Sequence, residues 1–265
     1  MRKSAELDGG NEGLRVQAGE DVQDISLSEH VYRHLRRDIL NGVFAPGQAL
    51  KLELLKQHYG SSFSPIREAL NRLRSERLVI NTASRGFNVA TLSVEEMWDA
   101  CEARILIDCE ALRRSLLNAD DAWEAQLVAA FHTLTLAAQR LAAAEDAATN
   151  TALQETLEAR HWGFHQALIA ACKSSWLMEL SGQLYAQTER YRRPVRAGRA
   201  AYRTAYGPER NVDDEHRQLL DAALTRNADL LVQTLTQHYR KTAQFIEEVL
   251  TAESLNKAMP RSALG

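Results

Sequence analysis

Gly60-Ser61-Ser62-Phe63-Ser64-Pro65-Ile66-Arg67-Glu68-Ala69-Leu70 reads as a turn that delivers the N-terminus of a short helix. Ser64 suits the N-cap, where its hydroxyl can satisfy an orphan backbone N–H, and Pro65 fits N1, where a missing N–H costs nothing. From there Ile66, Ala69, Leu70 and Leu73 share one helical face, while Arg67, Asn71 and Arg74 recur at i, i+4 and i+7 on another. A buried stripe opposite a basic, amide-bearing one is what a DNA-reading helix requires. An ordinary amphipathic helix with a solvated face has the same period.

The neighbours on either side narrow the choice. Residues 50–59 read as a helix closed by Gly60, which makes helix, short turn, helix. After it, Leu78-Val79-Ile80-Asn81-Thr82 and Phe87-Asn88-Val89-Ala90 are β-prone runs around Ala83-Ser84-Arg85-Gly86, a hairpin wing with an arginine at its tip. Residues 26–91 hold ten Lys/Arg against five acids, a balance of +5 in a chain whose net charge is −3. A basic module in an acidic chain points to one part that faces a polyanion.

Val31-Tyr32 through Ile39-Leu40-Asn41-Gly42, Pro46-Gly47, Ser64-Pro65-Ile66-Arg67-Glu68-Ala69-Leu70, Arg77-Leu78-Val79 and Arg85-Gly86-Phe87 together resemble the winged-helix domain of GntR-type bacterial transcription regulators. The resemblance implies DNA contacts from Lys51, Ser62, Ser64, Arg67, Asn71, Arg85 and Gly86. One position departs from the family pattern: Phe63 stands where an arginine usually precedes the Ser/Thr-Pro pair. Arginine there can grip a guanine bidentately, whereas phenylalanine offers apolar contact to a thymine methyl, or packing. The operator sequence therefore does not carry over.

The chain has 265 residues, 45% of them hydrophobic, enough for one small and one larger domain. It lacks an apolar run of membrane-spanning length and a signal-peptide core, so a cytoplasmic protein is expected. Cys101, Cys109 and Cys172 form no metal motif, and the first two would lie about 12 Å apart along one helix, too far to bridge. The expected organisation is a tail over 1–25, a winged helix-turn-helix over 26–92, a helical effector-binding and dimerisation domain over 93–255, and a tail over 256–265. The fold class is mainly α: an N-terminal winged helix-turn-helix with a small β-hairpin wing, then a C-terminal antiparallel all-α bundle. Within the bundle, helices are expected over 93–117, 120–144, 150–172, 176–195, 210–226 and 228–254, with breaks at 145–150 and 205–208.

The bundle's chemistry lies in its histidines. His161-Trp162-Gly163-Phe164-His165 places two imidazoles at i, i+4 on one helical face, able to meet one ion. His216 follows in Asp213-Asp214-Glu215-His216 and His238 in Thr236-Gln237-His238-Tyr239. From spacing alone, ligation by all four competes with ordinary hydrogen-bonded core histidines. His30, His34, His58 and His132 read as surface or packing residues, and Trp98, Trp123, Trp162 and Trp176 as core aromatics.

Arg104-Ile105-Leu106-Ile107-Asp108, Phe164-His165, Glu215-His216 and His238-Tyr239 are similar, in order and spacing, to the FCD domain, the all-helical ligand-binding domain of one GntR branch. The resemblance implies His165, His216 and His238 as ligands to a divalent metal, with His161 where the family has an aspartate. Four imidazoles with no protein carboxylate favour a zinc- or nickel-like ion and an anionic ligand, although the substitution can also mean a weakened site. The resemblance also implies Arg104 as a contact to an effector carboxylate; the plainer reading is an Arg104–Asp108 ion pair at i, i+4.

Three functions compete: a homodimeric transcription regulator reading a palindromic double-stranded operator, a metal-dependent hydrolase using the histidines, and a constitutive nucleoid-type DNA binder. The hydrolase reading lacks the glutamate that follows the first histidine in helical zinc proteases. Family habit favours a repressor released by a small carboxylate. The motifs also look like the carbon-starvation branch that handles small dicarboxylates.

Overall fold

The computed structural model of the chain describes residues 26–82, 86–144, 147–197 and 211–258. Within them run α1 (Leu27–Leu40), α2 (Leu52–Tyr59), α3 (Phe63–Ser75), β1 (Val79–Thr82), β2 (Gly86–Val89), α4 (Val94–Asn118), α5 (Asp121–Ala142), α6 (Ala147–Ile169), α7 (Ser175–Ala197), α8 (Val212–Leu224) and α9 (Ala228–Ala258). The expected tail over 1–25, the wing tip with Arg85 and the break at 205–208 lie outside the described residues. The helix ends shift by a few residues. α6 resumes at Ala147 rather than 150, and α9 continues to Ala258, past the point where a tail was expected at 256.

The first three helices and the two strands close around one apolar cluster. Ser26 Oγ accepts from the Glu29 N–H at 3.2 Å and starts α1, whose Val31, Leu35 and Ile39 recur every four residues and are buried. Opposite them lie Ile66, Ala69, Leu70 and Leu73 of α3, each no more than 1% exposed. Burying such a leucine or isoleucine contributes about 1.5–3 kcal/mol, so this stripe fixes how α3 sits on α1. Gly60 ends α2 in the left-handed region at φ +59°, where a side chain would be strained. The strands pair antiparallel with Val79 opposite Val89 and Thr82 opposite Gly86.

One local expectation is corrected. The N-cap of α3 is Ser62, not Ser64, and Pro65 is the third helical residue. Every N–H of the first turn lacks an intrahelical acceptor, so proline fits there as well as at N1. Ser62 makes no side-chain capping bond, which leaves its hydroxyl at the mouth of α3.

The remaining helices pack around a second cluster that includes Leu112, Leu127, Phe164, Leu168, Leu219 and Leu231. Ser93, Asp120 and Asn211 cap α4, α5 and α8 through their side-chain oxygens. α4 lies antiparallel to α9, with Trp98 Nε1 on Glu247, Arg240 on Glu102, and Cys109 beside Thr236. α4 also packs on α7, and α5 on α6. Trp123 is buried and donates to the Ala167 carbonyl at 2.8 Å. Trp176 is not a core residue: it sits in the first turn of α7 and is 71% exposed. All three cysteines are buried free thiols. No helix among the described residues is long and apolar enough to cross a membrane.

Candidate functional site: a DNA-facing helix and a buried histidine cluster

The exposed face of α3 carries Ser64, Arg67, Asn71 and Arg74, with Ser62 and Phe63 at its leading edge and Lys51 at the start of α2. Arg67 and Arg74 make no ion pair among the described residues. Arg72, on the flank, is committed to Glu29 at 2.5 Å and stacks 3.6 Å over Tyr32. Pairing therefore separates structural arginines from those available to phosphate or base edges. Phe63 is 37% exposed, with the Lys56 ammonium 4.9 Å from its ring centre. Gly86 opens β2 with φ +67°, a turn conformation that favours glycine at the wing.

The four histidines converge from three helices. His161 and His165 stand one turn apart on α6, His216 comes from α8 and His238 from α9; all are buried. One ring nitrogen from each lies within 4.8 Å of the others, and the Nε2 atoms of His161 and His165 are 3.2 Å apart. Phe164, fully buried between them in sequence, packs against Phe131 and edge-on to His216.

An outer ring of carboxylates and phenols orients these imidazoles. His238 Nδ1 lies 2.7 Å from Glu215 Oε2. Tyr239 Oη donates to Asp108 at 2.7 Å and meets His165 Nδ1 at 3.2 Å. Tyr185 Oη donates to Glu158 and meets His161 Nδ1 at 3.2 Å. Burial first, with the nearby carboxylates, raises both tyrosines well above the ordinary phenol value, so they remain donors. Burial chiefly, then Arg104 and the neighbouring imidazoles, holds His165 well below the usual histidine value, so it is neutral near pH 7. With Nδ1 of His161 and His165 held by phenol oxygens, the Nε2 atoms carry the lone pairs. Two such nitrogens at 3.2 Å repel unless a cation or a shared proton lies between them. Tetrahedral coordination at 2.0–2.1 Å sets ligand nitrogens about 3.3 Å apart, so this pair already has the spacing. The donor set fits a divalent ion. The clustered donor set is four imidazoles, and the nearest carboxylate to His238, Glu215, 7% exposed, sits behind that ring rather than among the clustered nitrogens.

Arg104 and Asp108 do pair, Nε to Oδ2 at 3.1 Å, but in the interior rather than on a helix surface. The Arg104 guanidinium lies over the rings of Tyr239 and Tyr185, 4.1 and 4.9 Å from their centres, and donates from Nη1 to Thr188 at 3.3 Å. Its Nη2 has no hydrogen-bond partner among the described residues. A buried guanidinium edge without an acceptor is costly, and Arg104 lines a cavity of ≈ 100 Å³ shared with His161 and His238.

α7 connects this cavity to the N-terminal unit. Tyr185, Thr188 and Arg192 face the histidine side, Arg192 pairing with Glu158. Other side chains of the same helix grip the N-terminal unit. Glu189 takes Arg36 at 2.9 Å, Gln187 donates to the Glu76 carbonyl, and Arg190 donates to the Arg77 carbonyl while also pairing with Glu96 of α4. Arg193 donates to Asn41 at 3.0 Å. None of these α7 residues was foreseen. Their partners lie up to 153 positions away, and only charge alternation along a helix marked them. Glu158 and Tyr185 were equally silent, since their role depends on how α6 meets α7.

The chain matches the FCD domain over residues 99–241 and the bacterial regulatory proteins, gntR family, over residues 27–89. It is 37% identical to the uncharacterized HTH-type transcriptional regulator BphR of Paraburkholderia xenovorans, covering 84% of this chain and 86% of that one. It is 31% identical to the HTH-type transcriptional repressor GlaR of Escherichia coli, covering 83% and 95%. The solved structure of E. coli McbR/YncC shares the fold with a TM-score of 0.63 at 18% identity, over 85% of this chain and 99% of that one. These relatives are transcription regulators, and they lend nothing to a hydrolase or a nucleoid protein. With a DNA-facing helix followed by a helical bundle that encloses four histidines, this chain is a DNA-binding transcriptional regulator, not an enzyme, and belongs to the gntR family in its FCD-containing group.

Proposed function

We propose that this regulator is a homodimeric repressor whose operator affinity falls when a small carboxylate binds beside a divalent metal in the helical bundle. The observation that carries the reading is the pairing of an oriented histidine cluster with the unfilled Nη2 of Arg104 in one cavity. His161, His165, His216 and His238 would hold the ion; imidazole donors suit zinc or nickel. When bound, the ion supplies positive charge that anchors an anionic oxygen. Arg104 would take another carboxylate oxygen, kept in place by Asp108, Thr188 and the two tyrosine rings.

In this reading residues 26–92 read DNA and residues 93–255 sense the effector. One winged helix covers too little DNA for a unique site, so two copies on a palindromic operator are expected, in the cytoplasm where that DNA lies. Leu106 and Leu117, 72% and 86% exposed, lie three turns apart on one face of α4 and offer apolar surface to a second copy. Effector binding must favour one arrangement of α7 over another to change the DNA heads. Elemental analysis of protein purified without chelator or nickel resin is expected to find near-stoichiometric metal. Stripping it should weaken carboxylate binding more than operator binding. Protein that contains no metal and takes up none on titration would overturn the metal part of the reading.

Two further results are expected at the DNA. Arg67→Ala should lose about 1–3 kcal/mol of operator affinity while circular dichroism stays unchanged; a loss within a few tenths would remove Arg67 from the interface. Phe63→Arg should change the preferred base at one symmetric pair of operator positions, read by selection from random DNA. An identical selected motif would mean that Phe63 does not face the groove.

A further inference from the structure

The cavity beside the histidines has two chemically different ends. At one end are Arg104, His161, Thr188, Arg192, His238 and Tyr239. The rest of the lining is Met97, Cys101, Val212, Ala243, Phe245 and Ile246, with Thr242 between the two groups. This polarity is written along two helices. On α4, Met97, Cys101 and Arg104 recur at i, i+4 and i+7; on α9, Tyr239, Ala243 and Ile246 do the same. Because α4 and α9 are antiparallel, both stripes pass from charged to apolar in the same direction. Seven residues of helix span about 10 Å, so the cavity of ≈ 100 Å³ is long and narrow enough to take a short chain beyond the carboxylate end.

From this we infer that the effector is a monocarboxylate with an apolar body, such as a medium-chain or aromatic acid, and not a small dicarboxylate. The inference rests on the proposed carboxylate end at Arg104 and the histidines. A distal second carboxylate would lie among a thioether, a thiol, a phenyl ring and aliphatic side chains. Among the described residues no side chain lining that end is cationic or an amide, and burial raises the Cys101 thiol to about 11, so it stays neutral. Placing an unpaired charge in such surroundings is heavily penalised. An alkyl or aryl group placed there gains by burial instead. Arg192 does not alter this, because it lies at the charged end and is already paired with Glu158.

Hexanoate and adipate have equal carbon number and differ only in the distal carboxylate. Isothermal titration of full-length, zinc-loaded protein is expected to give roughly tenfold or more tighter binding for hexanoate than for adipate. Acetate should bind weakly, and 1-hexanol, which lacks the anchor, should not bind detectably. Ile246→Ala should weaken hexanoate several-fold and leave acetate unchanged. Adipate binding as tightly as hexanoate or tighter, with Arg104→Ala abolishing both, would overturn the inference while the carboxylate reading stands. If neither acid nor acetate binds, or if Arg104→Ala alters none of them, the carboxylate end itself is wrong and the inference falls with it. Hexanol binding as well as hexanoate would likewise refute it, by showing an apolar cavity without an anion anchor.

Discussion

His165→Ala is expected to leave the protein unable to retain a divalent ion through gel filtration, whereas wild type keeps close to one per chain. His165 is central to the cluster: it touches His161 through Nε2, stacks 5.4 Å from His238, and is tied through Tyr239 to Asp108. Removing one of the four proposed ligands should lower affinity, and it also takes from Tyr239 Oη one of its two hydrogen-bond partners. Glu215→Gln should act more mildly, about 10–100-fold in metal affinity, because it alters the group behind His238 and leaves all four imidazoles in place. Thermal unfolding gives the second readout. A ligand bound only by the folded state stabilises it, so a chelator should lower the wild-type midpoint and leave that of His165→Ala unmoved. Equal metal content in wild type and His165→Ala would remove this histidine from the ligand set.

Phe164→Ala should cost about 3–5 kcal/mol of folding stability, read from the denaturant midpoint at unchanged slope. Phe164 is fully buried, its ring 5.7 Å from Phe131 of α5 and 5.5 Å from His216 of α8. It therefore joins three helices where the clustered histidines emerge. The vacated space would let His216 shift, so metal affinity should fall along with stability. A loss below 1 kcal/mol would mean that the bundle collapses around the gap.

Features that depend on near neighbours in the chain were the legible ones. The helices expected from 93 and 120 start one residue later, at Val94 and Asp121, and the α3 stripe of Ile66, Ala69, Leu70 and Leu73 is buried as its period requires. The same logic misplaced the start of α3, because Ser62 and Ser64 are both good caps and proline is tolerated throughout the first turn. The histidine set was readable because two members share a helical turn and the others stand in recognisable family contexts. Its supporting ring was not: Tyr185 reaches His161 only once α7 lies against α6, and no local pattern reports that. Trp176 shows the reverse error, where size and apolarity argued for burial but a helix start faces solvent.

The two apolar clusters of this chain do not merge, and what joins them across α7 is ionic and amide chemistry. Such a joint is replaceable as a unit. A DNA head from a relative reading a different operator should dock on this bundle if it brings equivalents of Arg36 and Asn41 and the backbone carbonyls at 76 and 77, without any matching of hydrophobic cores. New operators can thus be acquired by exchanging heads over a few polar contacts, while the histidine cavity stays as it is.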